Sequence, residues 1–402
     1  MPDAPLQRLI PANLWKYPRI CANLCPMNQN SAEQNSYQAK IFSNRLAKKY
    51  KLLRKWARRE RVTCYRLYDR DIPEVPLAVD IYEFLPDGMD SKVDAALFLR
   101  AEDERISAND LSAVKEKNER MFVHLYLYER PYEKSDSDEQ IWLEEMKKAV
   151  SLTLGIPENH VIQKLRKKQK GENQYEKINS ERTVAGFVQE CGQLFKVNLS
   201  DYLDTGLFFD HRPLRSIVRK DAAGKSVLNL FCYTGSFSVY AAEGKARRVE
   251  SVDLSKTYLE WARFNFALND FDPDSGKFFF TRGDVNGFLN QKLAEVPAAD
   301  GSNRYDIIVL DPPTFSNSKA TRNTLDINRD WPSLVHKCLN LLNVGGTLYF
   351  STNSHRLKFD ESMIPELADS GKSVSVLDLS EKSLPEDFKG SKAHRLWKIQ
   401  LA

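Results

Sequence analysis

The second half of the chain alternates short apolar runs with segments long enough to form helices. The runs have the character of strands that are covered on both faces, and they lie at Val227–Phe231, Arg248–Val252, Phe278–Thr281, Ile307–Leu310 and Thr347–Ser351. Strands that alternate with helices predict a doubly wound, mostly parallel α/β sheet. In such a sheet the ligand binds at the carboxyl ends of the strands.

The first half of the chain lacks this alternation, and we place a domain boundary near residue 212. A length of 402 residues is typical of two domains. Residues 1–33 show no periodicity and are predicted to be a disordered or extended tail. Residues 34–212 are predicted to form an α+β domain and residues 213–402 the α/β domain. The expected elements of the first domain are helices at Tyr37–Arg61 and Glu139–Leu154, strands at Thr63–Tyr68, Leu77–Tyr82, Ala96–Leu99, Phe122–Tyr128, Val184–Glu190 and Leu194–Asn198, and polar loops at Leu85–Val93 and Ala101–Asn118.

Several function classes are disfavoured by composition. The six cysteines are scattered, and even Cys21 and Cys25 have no nearby histidines, so neither a zinc site nor a disulfide framework is expected and no metal is predicted. No apolar run is long enough to cross a bilayer, and the first residues lack a secretion signal. We therefore expect a cytoplasmic protein without a membrane partner.

The first predicted helix combines an apolar stripe with a strongly basic surface. Ile41, Leu46, Tyr50, Leu53 and Trp56 recur at helical spacing, while acidic residues are missing until Glu60. A second basic cluster begins at Lys164. Most runs of charge are merely solvated helix faces, but we expect these clusters to contact RNA phosphates. The candidate residues are Lys48, Lys51, Arg54, Lys55, Arg58, Arg59, Lys164, Arg166, Lys167, Lys168 and Lys170.

The loops that follow the first three strands of the α/β domain indicate an adenosyl ligand. The first loop has one glycine, whereas a phosphate-binding loop would have three. Asp253 ends the second strand, where a carboxylate can accept hydrogen bonds from ribose hydroxyls. Asp284 follows the third strand and could accept a hydrogen bond from the adenine amino group. This pattern predicts S-adenosylmethionine, with candidate residues Asn229, Phe231, Tyr233, Thr234, Gly235, Asp253, Leu254, Ser255, Asp284 and Val285.

The fourth strand ends in Asp311-Pro-Pro-Thr-Phe315. Two prolines stop the strand and fix the backbone, which would point Asp311 into the cleft. An aromatic side chain here could stack on a base drawn out of its helix. An Asp-Pro-Pro-aromatic loop is typical of methyltransferases that act on nucleic-acid bases. We predict Asp311, Pro312, Pro313 and Phe315 as catalytic residues, with Asp311 also contacting the cofactor.

From about Ala39 to its end, the chain resembles the guanine-N7 methyltransferase half of the bifunctional bacterial 23S rRNA methyltransferases, the RlmKL family. The resemblance depends on the segments Phe42–Leu46, Lys55–Ala57, Cys64–Asp69, Ala78–Asp80, Gln169–Gly171, Asn173–Tyr175, Val197–Leu199, Asp201–Phe208, Asp210–Arg212, Thr257–Ala262 and Asp311–Lys319. The bifunctional family carries a second methyltransferase and an RNA-binding module ahead of this part. This sequence has only a short tail there, so we expect a stand-alone form that recognises RNA elsewhere.

The resemblance implies a class I, Rossmann-like methyltransferase domain preceded by an α+β RNA-binding domain. It implies a substrate in 23S rRNA, near helix 74, or in a large-subunit assembly intermediate. The loop of Phe209, Asp210, His211 and Arg212 is expected to close over the methionine end of the cofactor. Arg212 could pair with the methionine carboxylate, and His211 is expected to be a lid residue rather than a general base.

The residue types at the strand ends limit which atom could receive a methyl group. Enzymes that methylate carbon 5 of cytosine need a cysteine after the fourth or fifth strand, but Thr314 and Asn353 occupy those places. A ring or exocyclic nitrogen remains, and the resemblance implies N7 of guanine, which needs no base because it carries a lone pair. The alternatives are guanine N2, cytosine C5, or an idle RNA-binding assembly factor, although Asp253, Asp284 and Asp311 argue against an idle scaffold.

Overall fold

The computed structural model describes residues 31–128, 135–165, 183–202, 204–295, 304–316, 324–364 and 373–401. The predicted tail lies outside the described residues up to position 30. So do the candidate RNA contacts Arg166, Lys167, Lys168 and Lys170, together with the motif residues at 169–175 and 317–319.

The first half contains a four-stranded mixed sheet and a separate hairpin. The sheet order is β1-β2-β3-β4, and β3 and β4 are its parallel pair. Helices α1 and α4 pack together on this sheet, around buried side chains such as Leu53 and Trp142. The elements are α1 (Ser31–Glu60), β1 (Cys64–Asp69), β2 (Leu77–Glu83), α2 (Lys92–Ser107), α3 (Leu111–Glu119), β3 (Met121–Leu127), α4 (Asp136–Leu154), β4 (Val161–Leu165), β5 (Ala185–Glu190) and β6 (Gln193–Asn198).

Two predictions for this half are wrong. The segment Ala96–Leu99 is part of helix α2 rather than a strand, and most of Ala101–Asn118 belongs to α2 and α3 rather than to a loop. Helix α2 begins where the Ser91 side chain accepts a hydrogen bond from the Asp94 amide, but it leaves Val93 and Leu97 exposed. These apolar residues on the exposed face of α2 interrupt the helical spacing of apolar residues, so the sequence pattern does not predict a helix there. On α1, Phe42 is fully buried and Ile41 is not.

The second half forms the predicted doubly wound sheet. Its order is β14-β15-β13-β10-β7-β8-β9, and the five strands from β13 to β9 are parallel. The antiparallel strands β15 and β14 were not predicted. The elements are α5 (Arg212–Asp221), β7 (Ser226–Leu230), α6 (Ser236–Glu243), β8 (Arg248–Asp253), α7 (Lys256–Leu268), β9 (Phe278–Arg282), α8 (Val285–Glu295), β10 (Tyr305–Leu310), β11 (Phe315–Ser316), β12 (Leu325–Asp326), α9 (Ile327–Asn340), β13 (Leu342–Thr352), β14 (Val374–Asp378) and β15 (Arg395–Leu401).

Strand β10 shows how both faces of this sheet are buried. Ile307 and Val309 point into one apolar core with residues of α5 and α6, while Ile308 and Leu310 point into another with residues of α8 and α9. Side chains alternate between the faces of a strand, so each face needs its own cover of helices.

The hairpin β5–β6 attaches the first half to the second. Asn269, in α7's C-terminal turn, accepts a hydrogen bond from the Leu194 amide, and Trp261 donates to the Lys196 carbonyl oxygen. The domain boundary that we predict at residue 212 coincides with the start of α5 and stays a prediction. Among the described residues, no helix is both long enough and apolar enough to cross a membrane.

Candidate active site

A cleft of about 1910 Å³ opens at the carboxyl ends of the parallel strands. Pockets for one small ligand usually measure roughly 300–1,000 Å³, so this cleft has room for a cofactor and a second group. Most of the predicted cofactor-binding and catalytic residues line it: Asp210, Asn229, Phe231, Tyr233, Asp253, Leu254, Ser255, Asp284, Val285, Asp311, Pro312, Pro313 and Phe315.

The loop after β7 turns tightly beneath this cleft. Phe231 and Tyr233 adopt positive φ angles of 56° and 51°, and Gly235 follows at 74°. A Cβ atom at Gly235 would lie 2.8 Å from the Cβ of Ala262, so a larger residue would push α7 away. The turn brings the backbone amide of Tyr233 to the carboxylate of Asp253.

Asp253 is held by the backbone on both of its oxygens. The amide of Tyr233 donates to Oδ2 and the amide of Ser255 donates to Oδ1, each at 2.9 Å. Burial raises the pKa of Asp253, and these amide hydrogen bonds oppose the rise. Asp253 lines the cleft, and a carboxylate oxygen that accepts one hydrogen bond can accept another.

Asp284 ends the turn after β9 and begins helix α8. Its Oδ2 accepts a hydrogen bond from the Gly287 amide at 2.9 Å, which orients the carboxyl group at the helix N-terminus. Val285 is buried behind it and also touches the cleft.

Asp311 lies where β10 ends, between contacts from two distant segments. The Ser351 hydroxyl on neighbouring β13 donates to Oδ1, and Nε2 of His211 lies 3.3 Å from Oδ2. Phe315, four residues further along, keeps 56% of its surface exposed in the same cleft. The cleft therefore joins a fixed carboxylate to an aromatic face that is free to stack.

A cluster of polar side chains supports His211 from behind. The His394 ring stacks on the His211 ring at 4.3 Å, and Nδ1 of His394 donates to Asp210 at 2.9 Å. Burial alone would raise the pKa of Asp210, but His211 and the hydrogen bond from His394 hold it below its usual range. Burial lowers the pKa of His211, although Asp311 and Asp210 pull it upward. A low pKa keeps the His211 ring neutral near pH 7.

Asp210, His211 and His394 are also the group in this region that could hold a metal ion. One potential ligand atom from each residue lies within 4.8 Å of the others. The two histidine rings, however, stack at an interplanar angle of 18°. The lone pairs of their ring nitrogens therefore lie in nearly parallel planes and do not converge on one metal ion. The metal-free site that we predict from the sequence stays a prediction.

Arg212 does not line the cleft, which corrects its expected role at the methionine carboxylate. It is buried, and its guanidinium is bonded to Glu190 at 3.1 Å, to Asp387 at 2.8 Å and to the carbonyl oxygen of Cys64 at 3.0 Å. Each of the three guanidinium nitrogens therefore already donates to one of these partners. Sequence reasoning could not find Asp387, which lies 175 positions away.

Three other predicted cofactor residues also lie behind the cleft wall rather than on it. Phe209 is buried against the ring of Tyr82 at a centroid distance of 5.4 Å. Thr234 is buried and donates to the carbonyl oxygen of Gly206 at 2.6 Å. Gly235 is the third residue that does not line the cleft. All three shape the loops that carry the lining side chains.

Several lining residues were not predicted as site residues. Phe208 is 45% exposed and Cys232 is buried, and both contribute to the cleft. Asn353 comes from the end of β13 and hydrogen-bonds to Thr314. Each is an ordinary residue in its own segment, and only the packing of distant strands brings them together.

The basic surface of α1 is partly neutralised by other elements. Arg58 pairs with Asp103 of α2 at 2.9 Å, and Arg59 pairs with Glu60. Lys164 donates to the Tyr202 carbonyl oxygen. The predicted contacts that are exposed and have no acidic partner among the described residues are Lys48, Lys51, Arg54 and Lys55.

Comparisons with known proteins identify the family of this chain. The family model of S-adenosylmethionine-dependent methyltransferases matches residues 121–390. "Ribosomal RNA large subunit methyltransferase K" of Neisseria meningitidis is 40% identical over 362 residues, 89% of this chain and 86% of that protein. "Ribosomal RNA large subunit methyltransferase K/L" of Pseudomonas aeruginosa is also 40% identical, but this chain spans 42% of its length.

Solved structures share the fold. A protein assigned as a methyltransferase and solved in complex with SAH has a TM-score of 0.62 at 22% identity, covering 90% of this chain and 81% of the other. A protein assigned as an S-adenosylmethionine-dependent methyltransferase from Streptococcus mutans gives 0.60 at 21% identity over the same shares. From the family model and the 40% identical relative, the chain belongs to the S-adenosylmethionine-dependent methyltransferases, alongside the ribosomal RNA large subunit methyltransferases K.

Proposed function

We propose that this chain methylates N7 of a guanine in 23S rRNA, in the region of helix 74, using S-adenosylmethionine. The substrate is free rRNA or a large-subunit assembly intermediate, and the protein acts in the cytoplasm. The names of the relatives support the rRNA class. The single observation that carries the chemistry is the fixed carboxylate of Asp311 beside the exposed ring of Phe315.

The strand ends fit the cofactor. Both oxygens of Asp253 are oriented by backbone amides and can still accept from two ribose hydroxyls. Asp284 can accept from the adenine amino group, and Asp210 offers a carboxylate to the methionine ammonium group. When bound, S-adenosylmethionine supplies a methyl group on a positively charged sulfur.

N7 of guanine reacts with its own lone pair. The new N–C bond forms as the C–S bond breaks and its electrons return to sulfur, so no proton leaves the base. The purine ring gains a positive charge, which the Asp311 carboxylate can stabilise. Phe315 can stack on the extruded guanine and hold N7 in line with the methyl group.

The thiol in the cleft does not support carbon methylation. Among the described lining residues Cys232 is the one cysteine, and burial raises its pKa well above the usual range. A protonated, buried thiol is a poor nucleophile. This observation favours a nitrogen acceptor over carbon 5 of cytosine.

The test uses the lability of 7-methylguanosine. Substrate rRNA from a strain without the gene is incubated with enzyme and S-adenosylmethionine, reduced with borohydride and treated with aniline. A new chain cleavage at one guanine near helix 74 is expected. Methyl incorporation without cleavage, or with protection of a cytosine from bisulfite, would contradict the proposal.

A further inference from the structure

Thr314 and Asn353 meet across the ends of two neighbouring strands. Strand β10 pairs in parallel with β13, and Leu310 lies opposite Phe350. Thr314 and Asn353 line the same cleft as Asp311. Ser351, two positions before Asn353, already holds Asp311. Two side-chain hydrogen bonds thus join the strand ends where the acceptor base would sit.

The hydrogen bond between Thr314 and Asn353 determines which end of the amide faces the cleft. The Thr314 hydroxyl donates to Oδ1 of Asn353 at 2.5 Å. With its oxygen engaged, the amide turns Nδ2 and its two N–H groups away from Thr314. Asn353 is exposed, and its Nδ2 has no acceptor among the described residues. The cleft therefore presents a free hydrogen-bond donor next to the Asp-Pro-Pro loop.

A donor at this place distinguishes the two purines. The edge that carries N7 also carries the group at position 6, which is the acceptor O6 in guanine and a donor amino group in adenine. When a purine turns N7 toward the methyl group, its substituent at position 6 turns toward the same wall of the cleft. We infer that Asn353 reads purine position 6 and selects guanine over adenine. This inference rests on the proposed methylation of N7.

The discrimination has a definite direction and size. A donor facing O6 gains a hydrogen bond, whereas a donor facing an amino group leaves both groups unsatisfied. Hydrogen bonds to base edges typically discriminate between bases by roughly ten- to hundredfold. Thr314 contributes indirectly, because its hydroxyl keeps the amide from turning over.

The experiment compares two substrate RNAs that differ only at the target base, which is guanine in one and 2,6-diaminopurine in the other. The second base has an amino group in place of O6 and an unprotonated N1, and it keeps N7 and the 2-amino group of guanine. Wild type, Asn353→Ala, Asn353→Asp and Thr314→Val are tested for the ratio of N7 methylation rates on the two RNAs, with product identity read by mass spectrometry. His355→Ala, exposed and outside the cleft lining, is the matched control.

Wild type and the control should prefer guanine by roughly ten- to hundredfold. The ratio should fall toward one in Asn353→Ala, invert in Asn353→Asp because a carboxylate accepts from the amino group, and fall partly in Thr314→Val. Cofactor binding by calorimetry identifies folded variants. An unchanged ratio in folded Asn353→Ala, with N7 product from wild type, would overturn this inference alone. A wild-type product methylated elsewhere would overturn the proposed function as well.

Discussion

Nε2 of His211 lies 3.3 Å from Oδ2 of Asp311, so the residue that precedes α5 contacts the carboxylate at the end of β10. On its other side the His211 ring stacks on His394, which is bonded to Asp210. His211 therefore lies between the Asp311 carboxylate and a buried polar cluster. Because N7 needs no base, we assign His211 the role of a positioning residue for Asp311.

This arrangement predicts that the free energy of unfolding falls as the pH drops below about 6.5, the usual histidine pKa. The pKa of His211 is lowered mainly by burial, so its proton binds more readily in the unfolded chain. Above about pH 6.5, the usual histidine pKa, the buried neutral His211 makes its full contribution to the free energy of unfolding. This contribution falls as the pH drops from there through the lowered pKa that His211 has in the folded protein. His211→Gln should reduce this slope, as measured by urea unfolding between pH 7.5 and 5.5.

The exposed histidine His355 provides the control. His355→Gln should leave the wild-type slope between these pH values intact. The lowered pKa of Asp210 acts in a separate window below about pH 4, the usual range of an aspartate, so it does not disturb the comparison. Equal slopes in wild type and His211→Gln would contradict the assignment of a neutral His211 ring near pH 7.

Substitutions of Asp311 and Phe315 should impair different steps, turnover for Asp311 and RNA binding for Phe315. Asp311→Ala removes the carboxylate that faces the growing positive charge, so turnover should fall by on the order of 10²- to 10³-fold with little change in cofactor affinity. Phe315→Ala removes the exposed stacking surface and should mainly weaken RNA binding. Single-turnover kinetics and RNA titrations separate the two effects. Equal losses in both measurements for both variants would contradict these roles.

The basic face of α1 predicts salt-dependent RNA binding. Lys51, Arg54 and Lys55 are exposed and have no acidic partner among the described residues, whereas Arg58 and Arg59 are paired. Reversing these three charges to Glu should weaken RNA binding and lower the slope of log K against log salt by about 0.7–0.9 per lost phosphate contact. Filter binding at several salt concentrations measures this slope.

The control reverses three exposed lysines outside α1, at Lys220, Lys245 and Lys277. This variant has the same net charge as the α1 variant, so an equal loss of slope would show a general charge effect instead of a contact surface. Cofactor affinity should be unchanged in both variants. A full wild-type slope in the α1 variant would make its basic face an ordinary solvated surface.

Asp253 should carry much of the cofactor affinity. Asp253→Ala removes hydrogen bonds from the ribose hydroxyls to a charged group, worth about 2–3 kcal/mol. Affinity for S-adenosylmethionine should then fall by about 30- to 150-fold in calorimetry. Asp87→Ala, an exposed carboxylate elsewhere, is the control. Unchanged affinity in folded Asp253→Ala would remove the assignment.

The strand ends were predictable from sequence because local patterns determine them. Asp253 and Asp311 lie at the ends of buried apolar strands, and Asp284 follows β9, an apolar strand that is only partly buried; parallel strands bring such ends together whatever the rest of the chain does. Arg212 was misplaced because its partners Glu190 and Asp387 are distant in sequence, and only tertiary packing reveals them. For the same reason, no local pattern could show that Ser351 and His211 hold Asp311.

The buried network around Arg212 gives the last prediction, which separates a structural role from cofactor binding. Arg212 bonds Glu190 and Asp387, and Arg215 bonds Glu190 as well, all of them shielded from solvent. Removing one partner of a buried pair leaves an uncompensated charge and typically costs about 3–5 kcal/mol. Asp387→Asn should therefore lower the free energy of urea unfolding by an amount of that order. Arg212→Lys should be destabilising too, because a single ammonium cannot replace the guanidinium bonds to three partners. Both variants, at temperatures where they remain folded, should bind S-adenosylmethionine with wild-type affinity. A large loss of cofactor affinity in folded Arg212→Lys, without a comparable loss in Asp387→Asn, would instead restore Arg212 to the cofactor site.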